Sequence, residues 1–252
     1  MNTIDRLYRT TVIDKRAKWE DFRKNHEKLF GLVYATCYRP YKVYRHHQYK
    51  DAYKKFKDFT MLQEYGYTGN LALCDQFRHI NGSVVECGTW KGGMIAGIAS
   101  IFNDDRHYCL YDSFEGLPPA VDIDIDRYGR PAKELQKTRI NWLAISESTA
   151  RQAMELSGAN NVHIHKGWFN ETLPDYNYGP IAILRADGDF YESTMDIFTN
   201  LHKHVVKDGL IIIDDYYYWD GCAKAVHDFL SNNQLSDKIR QCPASYAYII
   251  KS

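Results

Sequence analysis

The 252-residue sequence has only six cysteines, at positions 37, 74, 87, 109, 222 and 242, and no two of them form a C-x-x-C pair. That spacing excludes the common zinc modules and a disulfide scaffold. Cys87 and Cys109 fall in apolar, strand-like stretches, where thiols act as small core residues. No uncharged apolar stretch approaches about 18 residues, which excludes a spanning helix. The opening MNTIDRLYRT carries charge and no apolar core, so no signal peptide is expected. Net charge is also lacking, with 32 Lys/Arg against 32 Asp/Glu, so the molecule as a whole does not read as a nucleic-acid binder. A soluble, cytoplasmic protein is the expectation.

The charge that is present is uneven. Residues 1–60 hold 15 Lys/Arg against 7 Asp/Glu, and the remainder is correspondingly acidic. Residues 14–36 set Trp19, Phe22, His26, Leu29, Phe30 and Val33 at helical spacing. Residues 38–59 interleave Tyr38, Tyr41, Tyr44, Tyr49 and Tyr53 with Lys and Arg. The expected organisation is a helical, basic, Tyr-rich extension over 1–75 and a second domain over 76–252. The basic segment reads either as a solvated helical surface or as a contact for an anionic partner.

Beyond residue 70 the pattern becomes rhythmic. Strand-like stretches at 83–87 (SVVEC), 107–111 (HYCLY), 161–165 (NVHIH), 180–185 (PIAILR), 210–213 (LIII) and 245–250 (SYAYII) alternate with helical stretches at 71–80, 94–102, 146–156, 192–204 and 224–232. Such alternation predicts a doubly wound, mostly parallel α/β sheet. Residues 115–141 form the one long connection without periodicity, and long loops in such folds are often lids. Ligands in these sheets bind at the carboxyl ends of the strands, which directs attention to the residues after each strand.

After the first strand comes ECGTWKGG, residues 86–93. Its glycines allow close backbone approach to a ligand, but it is neither a P-loop nor a dinucleotide fingerprint. After the second comes Asp112-Ser113, where a carboxylate commonly holds a ribose diol. After the third come Gly167 and Trp168, the latter able to flank a planar base. After the fourth and fifth come Asp187, Asp189, Asp214 and Asp215. Four carboxylates at neighbouring strand ends repel one another unless something compensates them. All-oxygen ligation points to Mg²⁺, Mn²⁺ or Ca²⁺ rather than zinc; helix capping or pairing with Arg185 is the competing explanation.

The blocks VVECGTWKGG, YDSFEGLP, KGWFNETLP, LRADGDFYEST and IIIDDYYYWDGCAKAVHDF together resemble the macrocin O-methyltransferase family. They spread over roughly residues 82–230, and the first 75 residues match far less clearly. The resemblance implies a Rossmann-like class I methyltransferase fold, a mostly parallel seven-stranded sheet with an antiparallel last strand. It implies S-adenosylmethionine and Mg²⁺ as cofactors, with methylation of a sugar hydroxyl. By resemblance, Glu86, Gly88, Thr89, Trp90, Gly92 and Gly93 hold the methionine part of the cofactor. Asp112, with Ser113, holds its ribose, and Gly167 and Trp168 lie near its adenine. Asp187, Asp214 and Asp215 match the metal ligands, and Asp189 matches the general base. His165, His202, His204 and His227 are rival bases, with His202 and His204 expected on a helix surface.

The expected acceptor is a small-molecule glycoside or a nucleotide-linked sugar, bound by a homo-oligomer, with no nucleic-acid partner and no membrane insertion. An anionic carrier read by Lys50, Lys54 and Lys55 is one form this takes. A catechol-like diol acceptor, or a cofactor-binding protein without turnover, are the other readings.

Overall fold

The computed structural model describes residues 47–138, 143–242, 244 and 246–252; the helix expected over 14–36 and the tyrosines at 38, 41 and 44 lie outside them. The compact unit begins at Gln48. It opens with α1 (Lys50–Phe56) and α2 (Glu64–Asp75), followed by β1 (Ser83–Cys87), α3 (Gly93–Phe102) and β2 (Tyr108–Asp112). Then come α4 (Ala132–Thr138), α5 (Glu147–Ser157), β3 (Val162–Lys166) and the single turn α6 (Phe169–Thr172). The remainder is β4 (Ile181–Ala186), α7 (Tyr191–Leu201), β5 (Val205–Ile213), α8 (Asp220–Asn232), β6 (Arg240–Gln241) and β7 (Ala247–Ile250).

The seven strands stand in the order β3-β2-β1-β4-β5-β7-β6. β1 to β5 are parallel, and β7 runs antiparallel to both β5 and β6. This is the expected Rossmann-like sheet. The order reverses between β1 and β4, so the loops after these two strands meet at the topological switch point. β1, β4 and the Leu210–Ile213 end of β5 are buried throughout. Helices cover both faces of these strands, which is why they read as unbroken apolar runs.

One apolar layer joins α1, α2, α3 and α5 to one face of the sheet, through Phe56, Tyr67, Leu71, Ile95 and Met154. The other packs α7 and α8 on the opposite face, through Phe190, Phe198, Trp219 and Val226. Among the described residues no helix is long and apolar enough to cross a membrane.

The long connection after β2 is more structured than its sequence suggests. It contains α4 and two bridges, Ile125 with Pro131 and Asp126 with Trp219. Buried Asp124 accepts from the backbone N–H of Val121 and of Tyr191, each at 2.8 Å, tying the segment to the start of α7. Its periodicity is weak because polar anchors, not an apolar stripe, hold it. His202, expected on a helix surface, lies in a 3-10 turn after α7 and is buried.

Candidate functional site

Two adjoining cavities open at the carboxyl ends of the parallel strands. The larger, about 500 Å³, is lined by Gly88, Trp90, Asp112, Ser113, Gly167 and Trp168 among others. The smaller, about 250 Å³, reaches Glu86, Thr89, Arg185, Asp214, Asp215 and Tyr218. Gly88, Trp90, Asp187 and Asp189 line both.

The loop after β1 is shaped by close approach. Gly88 takes φ +84°, and a Cβ there would overlap the carbonyl of Asp187. Its N–H donates to Tyr111 O at 2.8 Å, while Asp187 N–H donates to Cys87 O at 2.9 Å. A glycine is therefore required where the first and fourth strand ends converge. Trp90 N–H donates to Asp112 Oδ2 and Phe114 N–H to Asp112 Oδ1, both at 2.7 Å, so one carboxylate organises two loops. Thr89 Oγ1 donates to Glu86 Oε2 at 2.8 Å. Ser113 Oγ donates to Gly116 O at 2.8 Å. Gly167, at φ +146°, donates its N–H to Asp112 O at 3.0 Å and leads into Trp168. Of the residues expected around the cofactor, Gly92 alone lines neither cavity; it takes φ +77° and packs on Ala150.

The second half of the site is a carboxylate cluster built round one buried cation. Arg185, 3% exposed, donates through Nη1 to Glu86 Oε1 at 3.0 Å and to Asp187 Oδ2 at 2.6 Å, and through Nη2 to Asp214 Oδ1. The competing explanation, pairing with Arg185, is thus present in part. It is not sufficient, because Asp189 and Asp215 add two further carboxylates to the same pocket. β5 ends at Ile213, Asp214 N–H makes a last bond to Ala186 O at 3.0 Å, and the chain then turns. Tyr218 and Trp219 donate back to Asp215 O at 2.8 and 2.9 Å. That turn brings adjacent Asp214 and Asp215 to one side, which an extended strand forbids. Asp187, Asp214 and Asp215 each offer an oxygen, all within 4.8 Å of one another. Three hard oxygen donors fit a divalent cation of the Mg²⁺ or Mn²⁺ type.

Asp189 stands apart in conformation. The chain turns at Asp189 itself, at φ +56°, rather than at Gly188. Its Oδ1 accepts from the indole N–H of buried Trp219 at 3.0 Å, and its N–H donates to Asp215 Oδ2 at 3.1 Å. Burial, then the neighbouring Asp187 charge, pushes its carboxyl up to about 8. Burial likewise raises Glu86 to about 7 and Asp214 to about 7, in each case against the pull of Arg185. Asp215 is raised well above the carboxylate range by burial and by Asp189 and Asp187. Asp112 is raised by burial, against its backbone hydrogen bonds.

None of the rival histidines lines either cavity. His165 stacks on Tyr111 with ring centres 4.4 Å apart, His202 lies 3.5 Å from Asp237, and His204 packs on Tyr176 at 5.0 Å. His227 meets the Tyr216 hydroxyl at 2.8 Å. Of the three consecutive tyrosines only Tyr218 faces the carboxylates. Sequence reasoning missed Trp219, whose burial, and so its need for an indole N–H acceptor, only the fold reveals. It also missed Phe59, Met61 and Leu62 on the wall of the smaller cavity, which nothing but folding brings there.

Two curated relatives match this sequence over about 64% of its length. Demethyldecarbamoylnovobiocin O-methyltransferase of Streptomyces niveus is 34% identical over 167 residues, which is 64% of this chain and 63% of that protein. Mycinamicin III 3''-O-methyltransferase of Micromonospora griseorubida is 31% identical over 166 residues, 64% of this chain and 65% of that one. The chain thus spans a little under two thirds of the length of the relatives it matches. The solved structure of the O-methyltransferase NovP superposes with a TM-score of 0.62 at 29% identity, covering 73% of this chain and 80% of that one. The calicheamicin methyltransferase CalS11 has the same fold, with a TM-score of 0.62 at 18% identity over 76% and 80% of the two chains. Residues 73–250 match the model of the macrocin-O-methyltransferase (TylF) family, and the chain belongs to that family.

Proposed function

We propose that this chain transfers a methyl group from S-adenosylmethionine to a hydroxyl of a sugar, with a divalent cation held by Asp187, Asp214 and Asp215. The observation that carries the reading is the pairing of two sites. Five carboxylates and Arg185 line one cavity, and the glycine loop and Asp112 line the cavity that adjoins it. Membership of the macrocin-O-methyltransferase family supports it, as do relatives named as O-methyltransferases.

When bound, S-adenosylmethionine supplies an activated methyl group, and Mg²⁺ supplies a Lewis acid for the acceptor hydroxyl. The chain's own residues have four tasks. Gly88 and Trp90 shape the wall common to both cavities, and so the path from donor to acceptor. Asp112 offers carboxylate lone pairs to a ribose diol while its backbone bonds keep it in place. Trp168 and Phe169 offer apolar faces to a planar base. Asp189 takes the proton of the acceptor hydroxyl. Trp219 fixes one of its oxygens and leaves the other to accept, and a carboxylate held in this way suits a general base, a contribution of roughly 10²–10⁴-fold.

The assay is methyl transfer to a panel of glycosides, with and without chelator. Full turnover in chelator refutes the metal role. Asp189→Asn should collapse kcat while S-adenosylmethionine binding persists; an unchanged kcat removes Asp189 as base.

A further inference from the structure

The cavity that holds the carboxylates is acidic inside, yet two cations that have no carboxylate partner among the described residues stack on aromatic residues of its walls. Arg127 is exposed, and its guanidinium carbon lies 5.1 Å from the ring centre of Tyr218 and 5.0 Å from that of Tyr128. Tyr218 lines the cavity. The arginine is positioned by backbone: its N–H donates to Tyr218 O at 2.7 Å, and the preceding Asp126 is bridged to Trp219. Tyr218 N–H in turn donates to Asp215 O at 2.8 Å. A short, hydrogen-bonded frame therefore runs from the carboxylate cluster to this guanidinium.

The neighbouring Arg130 is different, because buried Asp126 neutralises it at 2.6 Å. Arg127 has no carboxylate within 4.0 Å among the described residues; its guanidinium donates to the Tyr128 hydroxyl at 2.9 Å. Lys91 repeats the arrangement: its Nζ lies 4.5 Å from the ring centre of Trp90, which lines both cavities, and reaches the Asp58 carbonyl at 3.4 Å. Lys50 and Lys54 differ in being engaged by Glu64 and Asp51; like Arg127 and Lys91, they and Lys55 do not themselves line the cavities, but Arg127 and Lys91 stack on Tyr218 and Trp90, which do.

Tyr128, 64% exposed, packs against the guanidinium of Arg127 and, at 5.2 Å from its ring centre, that of Arg130, and so holds the Arg127 side chain beside Tyr218. An acidic interior with cations stacked on its aromatic walls suits a ligand that is neutral at one end and negative at the other. Hydroxyls would face the carboxylates, and the anionic group would meet the guanidinium.

We propose that Arg127 forms an anion subsite, so that the acceptor is a sugar carrying a phosphate, diphosphate or carboxylate group. This inference rests on the sugar O-methyltransferase reading above and names the acceptor class within it.

The test is calorimetric titration of the protein loaded with S-adenosylhomocysteine and Mg²⁺. The probes are methyl glucoside, glucuronic acid, glucose 1-phosphate and UDP-glucose. At least one charged probe should bind about tenfold more tightly than methyl glucoside, the size of one charge-assisted contact. Arg127→Gln should remove most of that preference and leave methyl glucoside unchanged, Arg127→Lys should keep part of it, and raised salt should erode it. The glucuronic acid and phosphate arms distinguish the two anion sources. Equal affinity for charged and neutral probes, no binding of any charged probe, or an unchanged preference in Arg127→Gln overturns the subsite. Failure of S-adenosylhomocysteine itself to bind overturns the methyl-transfer reading and this inference with it.

Discussion

Replacing Gly88 by alanine tests how the two halves of the site are joined. The added Cβ would lie 2.9 Å from the carbonyl carbon of Asp187 and closer still to its oxygen, both of them backbone atoms that no rotamer change can move aside. The strand ends must therefore separate. That opens Asp187 N–H to Cys87 O and Gly88 N–H to Tyr111 O, at 2.9 and 2.8 Å. Each buried backbone pair lost costs about 1–3 kcal/mol, and holding alanine at φ +84° adds about 1 kcal/mol. Together these give about 3–7 kcal/mol, a large share of a typical domain stability of about 5–15 kcal/mol. Urea unfolding read by tryptophan fluorescence measures the loss. Calorimetry with S-adenosylmethionine and, separately, with Mn²⁺ measures the site. Both affinities should fall together, because the same displacement moves the loop after β1 and the Asp187 end of β4. A variant within about 0.5 kcal/mol of the parent that binds both ligands normally would refute the reasoning.

Other perturbations address the charge cluster. Arg185→Met leaves Glu86, Asp187 and Asp214 without their cation and should cost about 3–5 kcal/mol at pH 8, above the values of about 7 that Glu86 and Asp214 have in the parent. The loss should shrink at pH 6; equal losses at both pH values in urea unfolding would count against it. In the metal-free protein, Asp189, Asp214 and Glu86 bind protons more tightly folded than unfolded, with folded values of about 8, 7 and 7. Their stabilisation is complete below the unfolded carboxylate range and is lost as pH rises through the folded values. Between about pH 6.5 and 8 the loss should reach about 2–4 kcal/mol, above the range where His163, His165, His202 and His204, lowered mainly by burial, act in the opposite sense. Urea midpoints in chelator that rise across this window would contradict it. Trp219→Phe removes the indole donor to Asp189 and should move the acidic limb of the kcat/KM profile up by about one pH unit, while an unmoved limb would separate Trp219 from the base.

The fold was legible in the sequence because every central strand is buried on both faces. Val84-Val85, Ile181–Leu184 and Leu210–Ile213 have to be apolar runs, and the helices between them have to carry a stripe. The candidate carboxylates were legible because parallel strands deliver their last residues to one edge, so Asp112, Asp187, Asp189, Asp214 and Asp215 announce themselves by position alone. What the chain order could not convey is which side chains those ends bring into contact. Only the packed sheet sets Arg185 among Glu86, Asp187 and Asp214, because β4 lies between β1 and β5. Only the turn after Ile213 puts two adjacent aspartates on one side and swings Trp219 onto Asp189. Only the anchoring of Asp124 and Asp126 brings Arg127 to Tyr218, ninety-one positions away in the sequence. Strand and helix follow from local periodicity, whereas the charges that govern a site are neighbours across strands, and that neighbourhood exists only once the sheet has formed.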